Sequence, residues 1–421
     1  SQRYRNSYDM LIVDEAHEFS NITSAQTKAA QRLMGSKKAF TLLLTGSFMN
    51  GYAESVFMNM QAISPDFRKA FQRDDVTSFI DRFGYWKQTV SEKDAMGKVV
   101  EFGKNSDRVI RSARKSGVAP GILPVFQLEH LLPIAVTLQK EDLKLGIPPC
   151  TESVTSIAPT PLMLSNYNYL MKELLAEIKR TRTVEGRSGK LWGALAELPS
   201  YLDLAAIGEP YEIRWPESVD GSLITSVPSM DPSTILPKEE WMLNHVANEV
   251  SQGRRVIVMG WHLKLLPRYV KLLSARGFRV AHLESSKVPT DKRQDWIDKH
   301  VIAKKVDVLV VNPVTVQTGL NNLVYFATEL WMENPMCSPF VYRQACGRVD
   351  RIGQKLDTKI MFPIYEDTAQ EELHQLLMHK VGVSKSVDGL DPEEALRAAG
   401  VLDSEYSGFS LGKQIYHMIM R

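Results

Sequence analysis

Short apolar runs separated by amphipathic stretches set the pattern of this chain. Residues 8–13 (YDMLIV) and 39–44 (AFTLLL) are runs of the kind a buried parallel strand gives. Residues 25–34, between them, read as a helix. A second series starts at 239. It predicts a helix over 241–252, a strand over 256–259, a helix over 263–276 and a strand over 279–283. A helix over 290–300 and a strand over 306–311 follow, then apolar runs at 323–327 and 360–365. Strands alternating with helices predict an α/β fold whose mostly parallel sheet is covered on both faces. Residues 165–180 read as an amphipathic helix and 392–399 as a helix in the tail. The Pro-, Gly- and Ser-rich stretch 181–237 reads as a loop-rich linker with short elements.

The candidate chemistry sits at the ends of these runs. Asp14-Glu15-Ala16-His17 follows the first strand directly. A carboxylate there lies where open α/β sheets bind ligands. Asp14 can hold Mg²⁺, directly or through water, and Glu15 can accept the proton of an attacking water. His17 can connect that site to a neighbouring domain. The plainer alternative is a helix start with Asp14 as its N-cap. The second strand ends in Thr45-Gly46-Ser47, which by itself is a polar turn. Further on, residues 344–354 read QACGRVDRIGQ. An apolar-polar run leads in from Pro339, so the start of the stretch reads as helical. On a helix Arg348 and Arg351 share a face. Two guanidiniums on one face can clamp a polyphosphate, because Arg stays charged and grips phosphate oxygens in pairs. Two nearby arginines are more often a solvated charged face.

Composition narrows the partners. The chain has 421 residues, enough for two or three domains. Its net charge is only +2, so nucleic-acid binding has to rest on local patches. Lys104, Arg108, Arg111, Arg114 and Lys115 form one such patch, near helical spacing, that can touch a nucleic-acid backbone. A solvated face is again the plainer reading. The three cysteines have no C-x-x-C spacing, which speaks against zinc and a disulfide framework and fits a reducing cytosol. No apolar run reaches the roughly 18 residues of a membrane span, so no membrane partner is expected. The chain begins at Ser1, which suggests a fragment whose beginning is missing.

The string QACGRVDRIGQ resembles motif VI of the Swi/Snf-type helicase-like ATPases of helicase superfamily two, and its Asp350 resembles the bacterial RapA-like branch. Asp14–His17 resembles the family's motif II, the Walker B site. LLLTGSFMNG resembles motif III, with Phe48 in the usual place of a proline. Gln317-Thr318-Gly319-Leu320-Asn321 resembles motif V, and residues 131–149 resemble the bridge between lobes. The resemblance implies two RecA-like lobes with parallel sheets, the first incomplete, joined by a helical and loop-rich bridge. It divides the chain into a first lobe over 1–130, a bridge and linker over 131–237, a second lobe over 238–388 and a tail over 389–421. It implies ATP and Mg²⁺ as cofactors, with Arg348 and Arg351 as arginine fingers. Gln344 would bond nucleotide or ribose, and Gly319 would let the backbone approach the ligand. Thr45, Gly46 and Ser47 would couple the acidic box to the γ-phosphate.

The implied function is a nucleic-acid-dependent ATPase that translocates on double-stranded DNA or remodels a DNA-bound complex such as RNA polymerase. A cytoplasmic protein of bacterial, phage or mobile-element origin is expected. The Walker A loop is missing from this chain, so the chain alone is expected to be inactive. Two alternatives are a true unwinding helicase and a catalytically inactive nucleic-acid-binding or regulatory module.

Overall fold

The computed structural model describes residues 4, 7–21, 23–34, 40–93, 110–138, 146–185, 192–215, 221–316, 320, 322–333 and 338–387. They fall into two compact units. One runs to Thr137 and takes in the last helix from His379, and the other runs from Leu138 to Met378. Among the described residues no helix is long and apolar enough to cross a membrane.

In the first unit, β1 (Met10–Val13) and β2 (Phe40–Leu43) pair in parallel, Met10 opposite Phe40 and Val13 opposite Leu43. The helix Ala25–Met34 makes the crossover that parallel strands require. Burial of these strands is one-sided, unlike the sequence expectation. Ile12 is 58 % exposed and Phe40 82 % exposed, while their alternate neighbours are half-buried. The unit's core is aromatic. Phe57, Phe67, Phe79, Phe83 and Phe126 are fully buried, and successive rings meet edge-on or tilted at 5.4–5.7 Å. Ser64 starts one of its helices by accepting from the Phe67 N–H, with Pro65 in the first turn.

β3 (Gly84–Lys93) and β4 (Ile110–Ile122) form an antiparallel pair in the same unit. Three members of the basic patch therefore lie on a strand. Arg111 pairs with Glu92, Arg114 with Thr89 and Lys115 with Gln88. Spacings of three and four suit a helix, but they do not exclude a strand. Lys104 and Arg108 lie outside the described residues.

The second unit is built on a six-stranded sheet in which every pair is parallel. β5 (Cys150–Ile157) lies at one edge, and the hairpin of β6 (Tyr211–Trp215) and β7 (Ser222–Val227) stands apart from the sheet. The rest of the sheet comprises β8 (Val256–Met259), β9 (Val280–Leu283), β10 (Val308–Val311), β11 (Thr328–Trp331) and β12 (Thr358–Tyr365). The order is β5-β12-β11-β8-β10-β9. VIVM and VLVV supply β8 and β10, and every residue in them is fully buried. The apolar run 323–327 does not form the strand expected of it. Asn322–Tyr325 is a 3₁₀ turn, and the strand begins at Thr328. The helix expected over 290–300 breaks into a 3₁₀ turn, the helix Arg293–Ile297 and a π-turn ending at Ile302.

The stretch after 191 that reads as a linker contributes to the sheet's core. Leu198, Tyr201, Leu202 and Ile213 are buried in the same cluster as Val258 and Val310. A polar strut holds it there. The Lys238 ammonium donates to Asp203 Oδ1 at 2.8 Å, to Gln370 Oε1 at 3.3 Å and to the Met332 carbonyl. Gln370 Nε2 in turn donates to Asp203 Oδ2 at 2.8 Å and to the Pro199 carbonyl at 3.0 Å. Three donors on the ammonium meet three acceptors, which is what a buried Lys needs.

Glu329 in β11 is fully buried and accepts from Trp331 Nε1 at 2.9 Å. Burial pushes its carboxyl up to about 8, so it is protonated at neutral pH. The folded chain then keeps a proton that the unfolded chain loses near pH 4.5. Stability should fall as pH rises from about 4.5 to about 8, by roughly 4 kcal/mol if Glu329 acts alone. Urea unfolding of Glu329→Gln should show this part of the slope removed. An unchanged slope would assign the pH dependence elsewhere.

Candidate functional site

One group of candidate residues lies at the C-terminal ends of β1 and β2. Leu44 N–H donates to the Val13 carbonyl at 2.9 Å, and Ala16 N–H donates to the Leu44 carbonyl at 3.0 Å. Asn59 Nδ2 reaches the Ala16 carbonyl at 3.2 Å. These bonds fold the acidic box back over the second strand. Glu15 takes a left-handed backbone, φ 49° and ψ 46°, which costs a non-glycine residue about 1–2 kcal/mol. Its N–H donates to Asp14 Oδ1 at 2.9 Å. Asp14 itself is exposed and caps no helix side chain to backbone beyond that bond, so its carboxylate faces solvent at the strand end.

His17 joins the box to the second strand's turn. Its Nδ1 lies 2.9 Å from Thr45 Oγ1 and 3.4 Å from Glu15 Oε2. Thr45 Oγ1 donates to the Ser47 carbonyl at 2.9 Å and accepts from Ser47 N–H at 3.2 Å. With its only proton committed, the hydroxyl accepts from His17, which places the imidazole proton on Nδ1. Burial lowers the His17 pKa to about 4, and the charge of Asp14 only partly offsets it. The imidazole is therefore neutral at pH 7. The structure thus brings Asp14, Glu15, His17, Thr45 and Ser47 together, with Gly46 between the last two.

The donor set suits a hard cation. Among the described residues no three His, Cys, Asp or Glu side chains form a closed metal site. A Mg²⁺ ion held at Asp14 would keep most of its shell as water and phosphate oxygens, which is its usual habit.

A separate group of candidate residues lies in the other unit. Ser338 caps the helix Pro339–Cys346 by accepting from Val341 N–H, and Pro339 takes its first position. The helix stops at Cys346, with Gly347 as its C-cap. Arg348 and Arg351 therefore lie beyond the helix, not on one of its faces as their spacing predicts. They nonetheless converge. Arg348 Nη1 donates to the Leu320 carbonyl at 3.2 Å, and Arg351 Nη1 donates to the same oxygen at 3.3 Å. Arg348 is buried and Arg351 half-buried. Gln344 sits half-buried on the helix, one turn before Arg348. Gly319 lies outside the described residues, as do Gln317, Thr318 and Asn321.

Gln354 was visible in the sequence only as the end of a motif, yet it holds the arginine loop. Its Nε2 donates to the Phe326 carbonyl at 2.8 Å, the Val349 carbonyl at 3.1 Å and the Val324 carbonyl at 3.3 Å. Its Oε1 accepts from Lys355 N–H at 2.9 Å and Leu356 N–H at 3.1 Å. A buried amide with five partners is the signal that only tertiary structure provides.

No family model matches the chain. Curated relatives do, these three among them. ATP-dependent helicase FUN30 of Saccharomyces cerevisiae is 24 % identical over 158 residues, 38 % of this chain and 13 % of the relative. ATP-dependent helicase fft3 of Schizosaccharomyces pombe is 22 % identical over 172 residues, 41 % of this chain and 18 % of the relative. DNA repair protein RAD5 of Debaryomyces hansenii is 24 % identical over 175 residues, 40 % of this chain and 14 % of the relative. The chain is similar to helicase-like ATPases. It spans less than a fifth of the length of these relatives. All three are yeast proteins, which lends no support to the bacterial or phage source expected from Asp350. Among solved structures, the C-terminal part of the Fun30 ATPase domain is similar at TM-score 0.44 and 17 % identity, over 62 % of this chain and 100 % of that one. The Sulfolobus solfataricus SWI2/SNF2 ATPase core in complex with dsDNA is similar at TM-score 0.41 and 18 % identity, over 92 % of this chain and 72 % of that one.

Two outcomes test the geometry. The His17 ring protons should titrate with a midpoint near pH 4 by NMR, and a midpoint near 6.5 would contradict the buried neutral ring. Gln354→Leu keeps the volume but strands three carbonyls and two N–H groups. It should cost about 2–4 kcal/mol in urea unfolding. A loss under about 0.5 kcal/mol would show the amide to be incidental.

Proposed function

We propose that the chain is part of a Swi/Snf-type helicase-like ATPase of superfamily two that couples ATP hydrolysis to movement on duplex DNA. The observation that carries the reading is the convergence of Arg348 and Arg351 on one carbonyl oxygen. That geometry turns two side chains into one doubly charged grip, which suits the crowded negative charge of a polyphosphate. The tie between His17 and Thr45 at the acidic box supports it from the other unit. On this reading residues 1–130 hold the acidic half and residues 238–388 the arginine half, with 131–237 between.

The residues divide the work by their chemistry. Asp14 would hold the cation, and Mg²⁺, when bound, supplies neutralisation of phosphate oxygens. Glu15 would orient the attacking water and take its proton. Arg348 and Arg351 would stabilise charge on the transferring phosphoryl group, with Gln344 one helical turn behind them. The neutral His17 imidazole would pass the state of that site to Thr45 and Ser47. Arg111, Arg114 and Lys115 are offered as phosphate contacts to nucleic acid, the role their charge suits.

The deciding assay is ATP turnover with and without duplex DNA, using the whole protein. DNA should stimulate turnover. Glu15→Gln should keep nucleotide binding and lose turnover by about 10²-fold or more, as loss of a general base does. Arg351→Ala should lose about 10³-fold if it acts as an arginine finger. Turnover near the parent rate in Glu15→Gln would sink the base assignment, and absence of any DNA-stimulated turnover would sink the proposal.

A further inference from the structure

The sheet of the second unit has a topological switch point, and the chain fills it with its own side chains. From β8 the chain leaves for β9 on one side, and from β11 it leaves for β12 on the other. β8 and β11 are neighbours, so their C-terminal ends flank a crevice. Open α/β sheets bind ligands at such a place. Here a cavity of only about 20 Å³ remains, room for a single water. Its lining includes Ser200, Asp203, Lys238, His262, Trp331 and Glu333. The proposed ATPase chemistry uses none of these residues.

Two residues, one after each strand, meet across the crevice. Glu333 follows β11 and is buried, and His262 follows β8 and is partly exposed. Glu333 Oε2 accepts from the His262 N–H at 2.9 Å and also bonds His262 Nδ1. Its Oε1 accepts from the Tyr269 hydroxyl at 3.4 Å. Gly260 makes room for the carboxylate, since a Cβ there would stand 3.1 Å from Glu333 Oε1 and 2.8 Å from a Leu266 methyl. Asn312 Nδ2 steadies the turn by donating to the Gly260 carbonyl at 3.2 Å and the Trp261 carbonyl at 2.9 Å.

We propose that His262 and Glu333 form a proton-operated clasp, which holds the ends of β8 and β11 together while the imidazole is charged and loosens when it is neutral. Glu333 is where the clasp acts on its surroundings. Only residues 334–337 separate it from Ser338, which caps the helix leading into the arginine loop. A carboxylate pinned at one end shortens the free chain before that helix and limits its excursions. The value of that helix for phosphate binding rests on the ATPase reading above, whereas the clasp does not.

The groups around the ring set the direction. Burial by itself lowers the His262 pKa, but the bond to Glu333, its charge and the charges of Asp203 and Glu197 outweigh burial and raise it above 6.5. Lys238 is a facing cation, and it is bound to Asp203 at 2.8 Å. Burial keeps the Tyr269 hydroxyl neutral, with its pKa well above 10. Lys264 turns away to Glu209 at 2.8 Å. A raised histidine pKa gives stability that is complete below about 6.5 and lost as pH rises through the folded midpoint.

Two measurements on the full chain test the clasp, and neither reads ATP turnover. NMR of the His262 ring, assigned with His262→Gln, should give a midpoint above 6.5. In Glu333→Gln the midpoint should drop by about one to three units, since burial loses its main opponent. Amide exchange, corrected for intrinsic rates, should show protection of the helix Pro339–Cys346 falling as pH passes the parent midpoint. The fall should be about tenfold for each unit by which that midpoint exceeds 6.5. Glu333→Gln should lack this part of the slope and keep the part due to Glu329, which both chains share. His262→Gln cannot titrate at this position and should lose the same part, so it decides if Glu333→Gln does not fold. A parent midpoint at or below 6.5, or an undiminished slope in the variant, would overturn the clasp.

Discussion

The arginine loop hangs on one side-chain amide. Gln354 ties the loop after the helix Pro339–Cys346 to the carbonyls before β11, and it closes the loop on itself through Val349. The helix cannot do this, because it ends at Cys346 before either arginine. Long guanidinium side chains on an untied loop would sample many rotamers, at up to about 2 kcal/mol of entropy each. Fixing the backbone at Gln354 removes part of that loss in advance. The shared bond to the Leu320 carbonyl then sets where both charges point.

The acidic half solves the same problem with backbone strain. Glu15 holds a left-handed conformation that an Asp or Asn would adopt more readily. The bonds from Ala16 to Leu44 and from Asn59 to Ala16 hold it there. The outcome is a carboxylate pair aimed from the end of a strand by the sheet itself. Strain of this kind persists where the surroundings over-determine it, and such places are often functional.

Much of the fold was legible because burial writes itself into sequence. VIVM and VLVV can only be interior strands of a covered parallel sheet, and they are. β5, CTESVTSI, escaped notice because an edge strand with one partner needs few apolar residues. The run 323–327 misled in the opposite direction. Leu323, Phe326 and Ala327 are apolar because they are buried, but they lie in a 3₁₀ turn that ends at Tyr325 and in the link from it to β11. Burial and secondary structure are separate facts, and short apolar runs report only the first. The stretch after 191 shows the same limit. Its Pro and Gly content marks turns correctly, yet Leu198, Tyr201 and Leu202 between the turns belong to the core.

The acidic box and the arginine loop differ in legibility for a physical reason. Asp14, Glu15 and His17 are neighbours in sequence and act from one strand end, so spacing alone places them. The arginines depend on Leu320 and Gln354, separated by tens of residues from the partners they meet. The i, i+3 spacing of Arg348 and Arg351 predicts a shared helix face, whereas both lie in the loop after the helix. A helical face would hold two charges side by side along an axis. The loop instead turns both onto one oxygen. Such a convergence raises mutual repulsion and so raises the gain when an anion arrives. A loop tied down at its far end can bear that repulsion, and the amide of Gln354 is what ties it.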